Sequence, residues 1–245
     1  MKRAITSAIA VALLASSGVA YANNHAGAAA AIAAAVADDR RPEADVARDP
    51  LRKPAEITHF AGVEPGMTIA EIAPGGGYYT RVLAASVGPQ GKVYALMPSF
   101  FASRLGGLDA INALAAEYGN VEVIVVEGYD ALSLPEQVDL VWTTENYHDL
   151  ANGDIGVVNA GIDRVLKPGG IYFVEDHSAP GTGLSATSTI HRIDPMAVIG
   201  QVTSAGFVLE ATSDLLLNPD DPRDVNPREA QPTSEKFALR FRKPE

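Results

Sequence analysis

The chain has 245 residues, 47% of them hydrophobic, no cysteine and a formal net charge of −11. That length suits a single domain with a full core, and the lack of cysteine excludes disulfides, thiolate metal sites and acylation at a lipobox. The acidity argues against nucleic acid or an anionic membrane as partner, since both call for a basic surface, and leaves small molecules or proteins.

Lys2 and Arg3, an apolar stretch from Ala4 to Ala15 and the small residues ending in Ala20-Tyr21-Ala22 read as a secretory signal peptide over 1–22. The apolar core is too short to span a bilayer and no other run reaches the ~20 residues needed. No stable membrane insertion is therefore expected after cleavage, and the expected location is periplasmic or secreted. Residues 23–37 are mostly alanine, with helix propensity but little to pack, and read as a flexible or loosely helical leader to one domain over 38–245. From Arg40 to Lys53 charges alternate densely, which fits a solvated helical face or a lid whose Arg48, Asp49 or Arg52 touches a ligand. Pro54 to Phe60 reads as a helix before the first strand, with His59 as a partly buried packing residue.

An apolar run from Met67 to Ile72 then leads into Glu71-Ile72-Ala73-Pro74-Gly75-Gly76-Gly77 and a helix-like segment from Tyr78 to Ser86. Glycines at such a junction let the backbone turn sharply and let a ligand approach the main chain, while the helix start offers unpaired N–H groups. Further strand-like runs follow at Lys92 to Leu96, Val121 to Val126, Val138 to Thr143 and Ile171 to Val174, separated by turn formers such as Val87-Gly88-Pro89-Gln90-Gly91 and Lys167-Pro168-Gly169-Gly170. Gly206 to Glu210 and Lys236 to Arg242 read as a last pair of strands. The polar stretch between them, Asn218 to Glu235, carries Pro222, Pro227 and Pro232 and reads as a surface loop folded over the site or as a disordered connection.

This set of runs and loops resembles the class I S-adenosylmethionine-dependent methyltransferases, and more closely an exported group of them carrying an Arg-Lys-Pro-Ala-Glu segment, here Arg52 to Glu56, before the first strand. The resemblance covers roughly Arg41 to Lys243. It implies a Rossmann-like, seven-stranded α/β sheet with helices on both faces and an antiparallel last strand. It also implies S-adenosyl-L-methionine as cofactor, with Glu71 helping to hold its amino group and Ala73, Gly75 and Gly77 meeting its methionine part. Asp130 matches the position whose carboxylate meets the adenine, although an Asp there is equally a turn former. Asn146 joins the expected cofactor contacts. Two departures stand out. Ala73 replaces the usual first glycine, and Met97-Pro98-Ser99 stands where an acidic residue would receive the ribose hydroxyls, a bond no thioether can make.

Ligands of open α/β sheets bind beyond the carboxyl ends of the strands. There the chain offers Asn146, His148 and Asp149 after one strand, Glu175, Asp176 and His177 after the next, and His191 farther on. His148 or His177, each with a carboxylate beside it, suits a general base for methyl transfer, with Asp149 as the neighbour of the first. Histidines and carboxylates from separate segments could instead hold a divalent ion, or simply hydrogen-bond loop backbone; spacing assigns no metal ligands. The expected activity is methyl transfer to a small-molecule acceptor. The alternative is an exported binding or accessory protein that keeps the fold without the chemistry, with Ala73 and Met97 as traces of the loss. Mass spectrometry of the protein from its native envelope should find Asn23 as the first residue; an intact Met1 in the cytoplasmic fraction would refute export.

Overall fold

The computed structural model describes residues 26–104, 107–230 and 233–245. The expected signal segment and its cut after Ala22 lie outside them. Among the described residues no helix is long and apolar enough to cross a membrane.

Residues 26–36 form a helix, α1. Its Ala28, Ile32 and Ala35 are each 2% exposed, one stripe at helical spacing. The expected leader with little to pack is thus a packed element over this part, because small side chains let a helix lie close to its neighbours. The charged segment after it folds into two short helices, α2 (Glu43–Val46) and α3 (Asp49–Arg52), followed by α4 (Pro54–Phe60). A purely solvated face does not describe them. The Arg41 side chain is fully buried, donates to the Val36 carbonyl at 2.6 Å and grips both Asp49 oxygens at 2.8 and 2.6 Å. His59 on α4 is exposed rather than partly buried.

One seven-stranded sheet follows, built from β1 (Thr68–Ile72), β2 (Lys92–Pro98), β3 (Val121–Val126), β4 (Val138–Thr144), β5 (Leu166–His177), β6 (Val208–Ser213) and β7 (Lys236–Arg242). The order is β3-β2-β1-β4-β5-β7-β6. Strands β1 to β5 run parallel, and β7 lies antiparallel between β5 and β6, as the resemblance implied. Strands covered on both faces read as continuous apolar runs, which is why β1, β2 and β4 were legible.

Alternation along the strands sorts the core into two layers. Ile69, Leu140, Trp142, Ile171 and Phe173 pack with Ile57, Tyr79 and Leu83 from α4 and α5 (Tyr78–Val87). Ala70, Ile72, Val141, Tyr172 and Val174 pack on the other face with Tyr147, Ile162 and Val198, carried by α8 (Tyr147–Leu150), α9 (Ile155–Val165) and α11 (Pro195–Ser204). Two further helices, α6 (Ser99–Ala102) and α7 (Asp109–Tyr118), follow β2, and α10 (Thr187–Ile190) precedes α11.

The same parity assigns the polar residues at the strand ends. Glu71 shares the face of Ile69 and meets α5, Glu175 shares the face of Phe173, and Asp176 shares the face of Val174 and meets α8. Gly77, the left-handed entry to α5 at φ 84°, is buried: a Cβ added there would collide with Leu114 Cδ1 of α7. Gly75 is left-handed too, at φ 58°, but nothing lies within 4 Å of its added Cβ. Gly77→Ala should therefore cost about 1–3 kcal/mol of overpacking beyond the strain of roughly 1–2 kcal/mol that both positions share. Urea unfolding of the two alanine variants, compared side by side, measures the difference.

Candidate active site

The order of strands reverses between β1 and β4, and ligand crevices of open α/β sheets sit at such a point. Two cavities open there. The smaller, ≈ 240 Å³, is lined by Glu71, Ala73, Gly75, Gly76 and Tyr78. The larger, ≈ 550 Å³, is lined by His148, Asp149, His177, His191 and the 226–228 segment. Arg48, Arg52, Glu145 and Asn146 line both and form the wall between them.

The smaller cavity is built on the glycine loop. Ala73 adopts φ 48°, so the alanine that replaces the usual first glycine still takes the left-handed backbone that a glycine would supply. Its N–H donates to the Leu96 carbonyl at 3.0 Å. Gly75 lines the cavity, whereas Gly77 does not and serves helix packing instead. Glu71 is 2% exposed, accepts from Thr80 Oγ at 2.6 Å and has its carboxyl pushed up to about 7, because burial outweighs the Thr80 hydrogen bond and the Arg81 charge.

Asn146 Nδ2 donates to the carbonyls of Ile72 at 3.1 Å and Thr144 at 2.7 Å, so its amide clamps the ends of β1 and β4 together while its side chain lines both cavities. Asp130 is exposed in the turn after β3 and lines neither cavity. Met97 is turned into the core against Ile111 and Leu114. The polar groups at that edge are Ser99, whose Oγ donates to Glu127 Oε2 at 2.9 Å, and Glu127 itself.

The larger cavity gathers histidines in unlike settings. His148 is 4% exposed, and both its backbone N–H and its Nδ1 meet the Asp176 carboxylate, at 2.7 and 2.8 Å. With Nδ1 donating, Nε2 carries the lone pair on the side of Asp149 and the cavity. Burial disfavours the charged ring, but the hydrogen bond and charge of Asp176 outweigh it and raise the pKa. His177 pairs through Nδ1 with Ser234 Oγ at 2.7 Å, and burial lowers it to about 4 although Glu145 and Asp176 pull the other way. His191 is exposed and lies 3.5 Å from Asp149.

Behind these residues Lys236 Nζ reaches Glu145 at 2.9 Å and Glu175 at 3.1 Å, while Arg52 Nη2 reaches the other Glu145 oxygen at 2.7 Å. Sequence reasoning placed Glu175 and Asp176 at the right edge but missed that Asp176 orients His148. It also missed Glu145 and Lys236. Glu145 directly precedes the Asn146 it singled out, and Lys236 opens the last strand; only their pairing across the sheet reveals what they do.

The described residues of the 218–235 connection, 218–230 and 233–235, form a strap across this cavity, the first of its two expected forms. Arg192, with no exposed side-chain surface, donates to both Asp221 oxygens at 2.8 and 3.1 Å and to the Val225 carbonyl at 2.8 Å. Asp221 also accepts from the Glu235 backbone at 2.6 Å. Arg192→Met should leave Asp221 buried without its cation, costing about 3–5 kcal/mol, and should open the strap to limited proteolysis. An unchanged unfolding midpoint would show that other contacts hold it.

Residues 70–174 match a family model described as a methyltransferase domain. Among solved structures the chain is similar to a SAM-dependent methyltransferase from Aquifex aeolicus, at 20% identity over 80% of this chain and 92% of that one, with a TM-score of 0.60. It is also similar to an S-adenosylmethionine-dependent methyltransferase from Mesorhizobium loti, at 14% identity over 80% and 99%, TM-score 0.59. A third likeness is to the glycopeptide N-methyltransferase MtfA complexed with sinefungin, at 14% identity over 84% and 99%, TM-score 0.56.

Proposed function

We propose that this chain, whose residues 70–174 match a methyltransferase domain, is a class I S-adenosylmethionine-dependent methyltransferase that holds S-adenosyl-L-methionine in the smaller cavity and a small-molecule acceptor in the larger one. The observation that carries this reading is the shared wall: two cavities at the switch point meet at Arg48, Arg52, Glu145 and Asn146, so ligands in the two would lie side by side. The residues of the smaller cavity fit the cofactor. Gly75 leaves open space where a Cβ would stand, and Glu71 offers a buried carboxyl to an ammonium group. The cofactor supplies a methyl group on a sulfonium, which keeps the bonding electron pair when the acceptor takes the methyl. Of the two departures from the family pattern, Ala73 keeps the loop backbone that a glycine would supply, and at the Met97 edge Ser99 and Glu127 are the polar groups left to receive the ribose.

On the acceptor side, His148 is the group we assign to activation. Asp176 fixes its ring, and Nε2 on the cavity side takes the proton of the attacking hydroxyl or amine as the new bond forms. His177, held by Ser234 and uncharged at neutral pH, and Asp149 complete the wall around the acceptor. The signal-like segment supports the further proposal that the enzyme works in the periplasm or outside the cell.

Calorimetric titration of the purified chain with S-adenosylmethionine tests the first half. Glu71 must be ionised to pair with the cofactor's ammonium, and its proton leaves only near pH 7. Affinity should therefore rise from pH 6 to pH 8, by up to about tenfold per unit on the acid side. Gly75→Val should abolish binding in a folded protein, and Glu71→Gln should weaken it and flatten the pH dependence. No binding at any pH would return the protein to the accessory-protein alternative.

The second half needs an acceptor, found by screening compounds for release of demethylated cofactor. On that acceptor His148→Ala should lose roughly a hundredfold in turnover with nearly unchanged cofactor affinity, since removing a base acts on the transition state. Full turnover in the folded variant would remove His148 from the chemistry.

A further inference from the structure

At the mouth of the larger cavity His148 Nε2 and His191 Nδ1 each lie 3.5 Å from the same atom, Asp149 Oδ1. All three atoms fall within 4.8 Å of one another. At 3.5 Å an imidazole and a carboxylate make at best a weak hydrogen bond. The spacing does suit an ion between them: with bonds of about 2.0–2.2 Å, the ligand atoms of a tetrahedral zinc sit roughly 3.3–3.6 Å apart.

Two independent observations point the same way. His148 gives its other ring nitrogen to the buried Asp176 carboxylate at 2.8 Å, the outer partner that fixes tautomer and ring plane in metal-bound histidines. His191 holds a left-handed backbone at φ 54°, a conformation that costs a non-glycine residue about 1–2 kcal/mol, and its Nδ1 lies 3.5 Å from Asp149 Oδ1. Strain of this kind concentrates at ligand sites. Two imidazoles and one carboxylate favour a first-row transition ion over magnesium or calcium, which prefer all-oxygen shells.

We propose that His148 Nε2, Asp149 and His191 Nδ1 bind one divalent ion of the zinc class, with its remaining position open to the larger cavity. The role of that ion rests on reading the cavity as the acceptor site. An acceptor oxygen in the open position becomes more acidic, and its proton passes to solvent. Nε2 cannot hold an ion and a proton at once, so in the loaded protein the ion replaces the free imidazole in this step. The favoured acceptor class is then one that attacks through oxygen, a hydroxyl or a carboxylate, rather than through a protonated amine.

The test uses the full chain, prepared without a histidine tag, stripped with a chelator and dialysed. Zinc is titrated by calorimetry and cobalt by its visible absorption, and S-adenosylmethionine affinity is measured separately on the same samples. One ion per chain is expected, with the strong bands of low-coordinate cobalt. Asp149→Ala and His191→Ala should each weaken zinc at least about tenfold, and Asp176→Asn about 10- to 100-fold, while His59→Ala leaves it unchanged. Equal zinc affinity in the Asp149→Ala, His191→Ala double variant, or no stoichiometric binding by the parent chain, overturns the site. Should the double variant melt early, Asp149→Asn, of the same shape, decides in its place. Loss of cofactor binding with zinc binding intact would count against the methyltransferase reading alone.

Discussion

Two carboxylates and two cations, Glu175 and Lys236 buried and Glu145 and Arg52 half-buried, hold the working edge of this sheet in place. Glu145 stands just beyond β4, Glu175 in β5, Lys236 at the start of β7 and Arg52 on α3, and none is linked to its partners by chain proximity. Burying such charges is tolerable only in company, and removing one member leaves another uncompensated at a cost of about 3–5 kcal/mol. Balance therefore has a structural consequence: β7 must lie against β5 and α3 must sit over the crevice. Glu145 takes a left-handed backbone, φ 56°, in the process. Burial raises its pKa, but Lys236 and Arg52 more than offset this and hold the carboxyl well below its ordinary range. Its stabilising effect is thus present above the usual carboxylate pKa and fades on acidification. Glu175, with no exposed surface, is pushed the other way by burial.

From that cluster the short helices α2 and α3 and the glycine loop become one unit. Arg52 also lies over the rings of Tyr78 and Tyr79, with its guanidinium carbon 4.7 and 5.7 Å from their centroids. The Tyr78 hydroxyl donates to Asp49 at 2.6 Å, and Asp49 is the carboxylate that Arg41 grips from below. Tyr78 opens the helix that follows the glycines. A ligand settling on the loop therefore touches the first turn of α5 and, through two tyrosines, the short helices above it. The dense charges of 40–53 serve as an internal scaffold more than as a solvent-facing surface.

Much of the fold was legible because parallel strands buried on both faces are apolar from end to end, and because glycines cluster where β1 must turn into α5. What stayed illegible depended on partners far away in sequence. Gly75 and Gly77 look alike in the chain, yet one faces a cavity and the other makes room for Leu114; only the position of α7 separates them. Met97 stands where an acidic ribose acceptor is expected, and only the structure shows that its side chain packs in the core and that Ser99 and Glu127 are the polar pair at that edge. Arg192 gave no signal at all, since its carboxylate lies on the strap and the pair vanishes from any local window. The alanines of α1 read as a flexible or loosely helical leader with little to pack, because the burial of Ala28, Ile32 and Ala35 rests on close approach of the helix and not on their own bulk.

The histidines make the same point in chemical terms. His148 and His177 each follow a strand, each with a carboxylate adjacent in sequence, and nothing local ranks one above the other. Asp176 is the residue next to His177, yet its carboxylate meets the ring of His148 and only the backbone N–H of His177. The reason is parity: Asp176 points to the face that carries α8, and His177 to the opposite one, where a neutral serine meets its ring. Burial then dominates at His177 and the pKa falls, whereas at His148 a buried anion overcomes burial and the pKa rises. One residue's alternation along β5 thus decides which imidazole presents a basic, oriented nitrogen to the larger cavity, whether that nitrogen finally receives a proton or an ion.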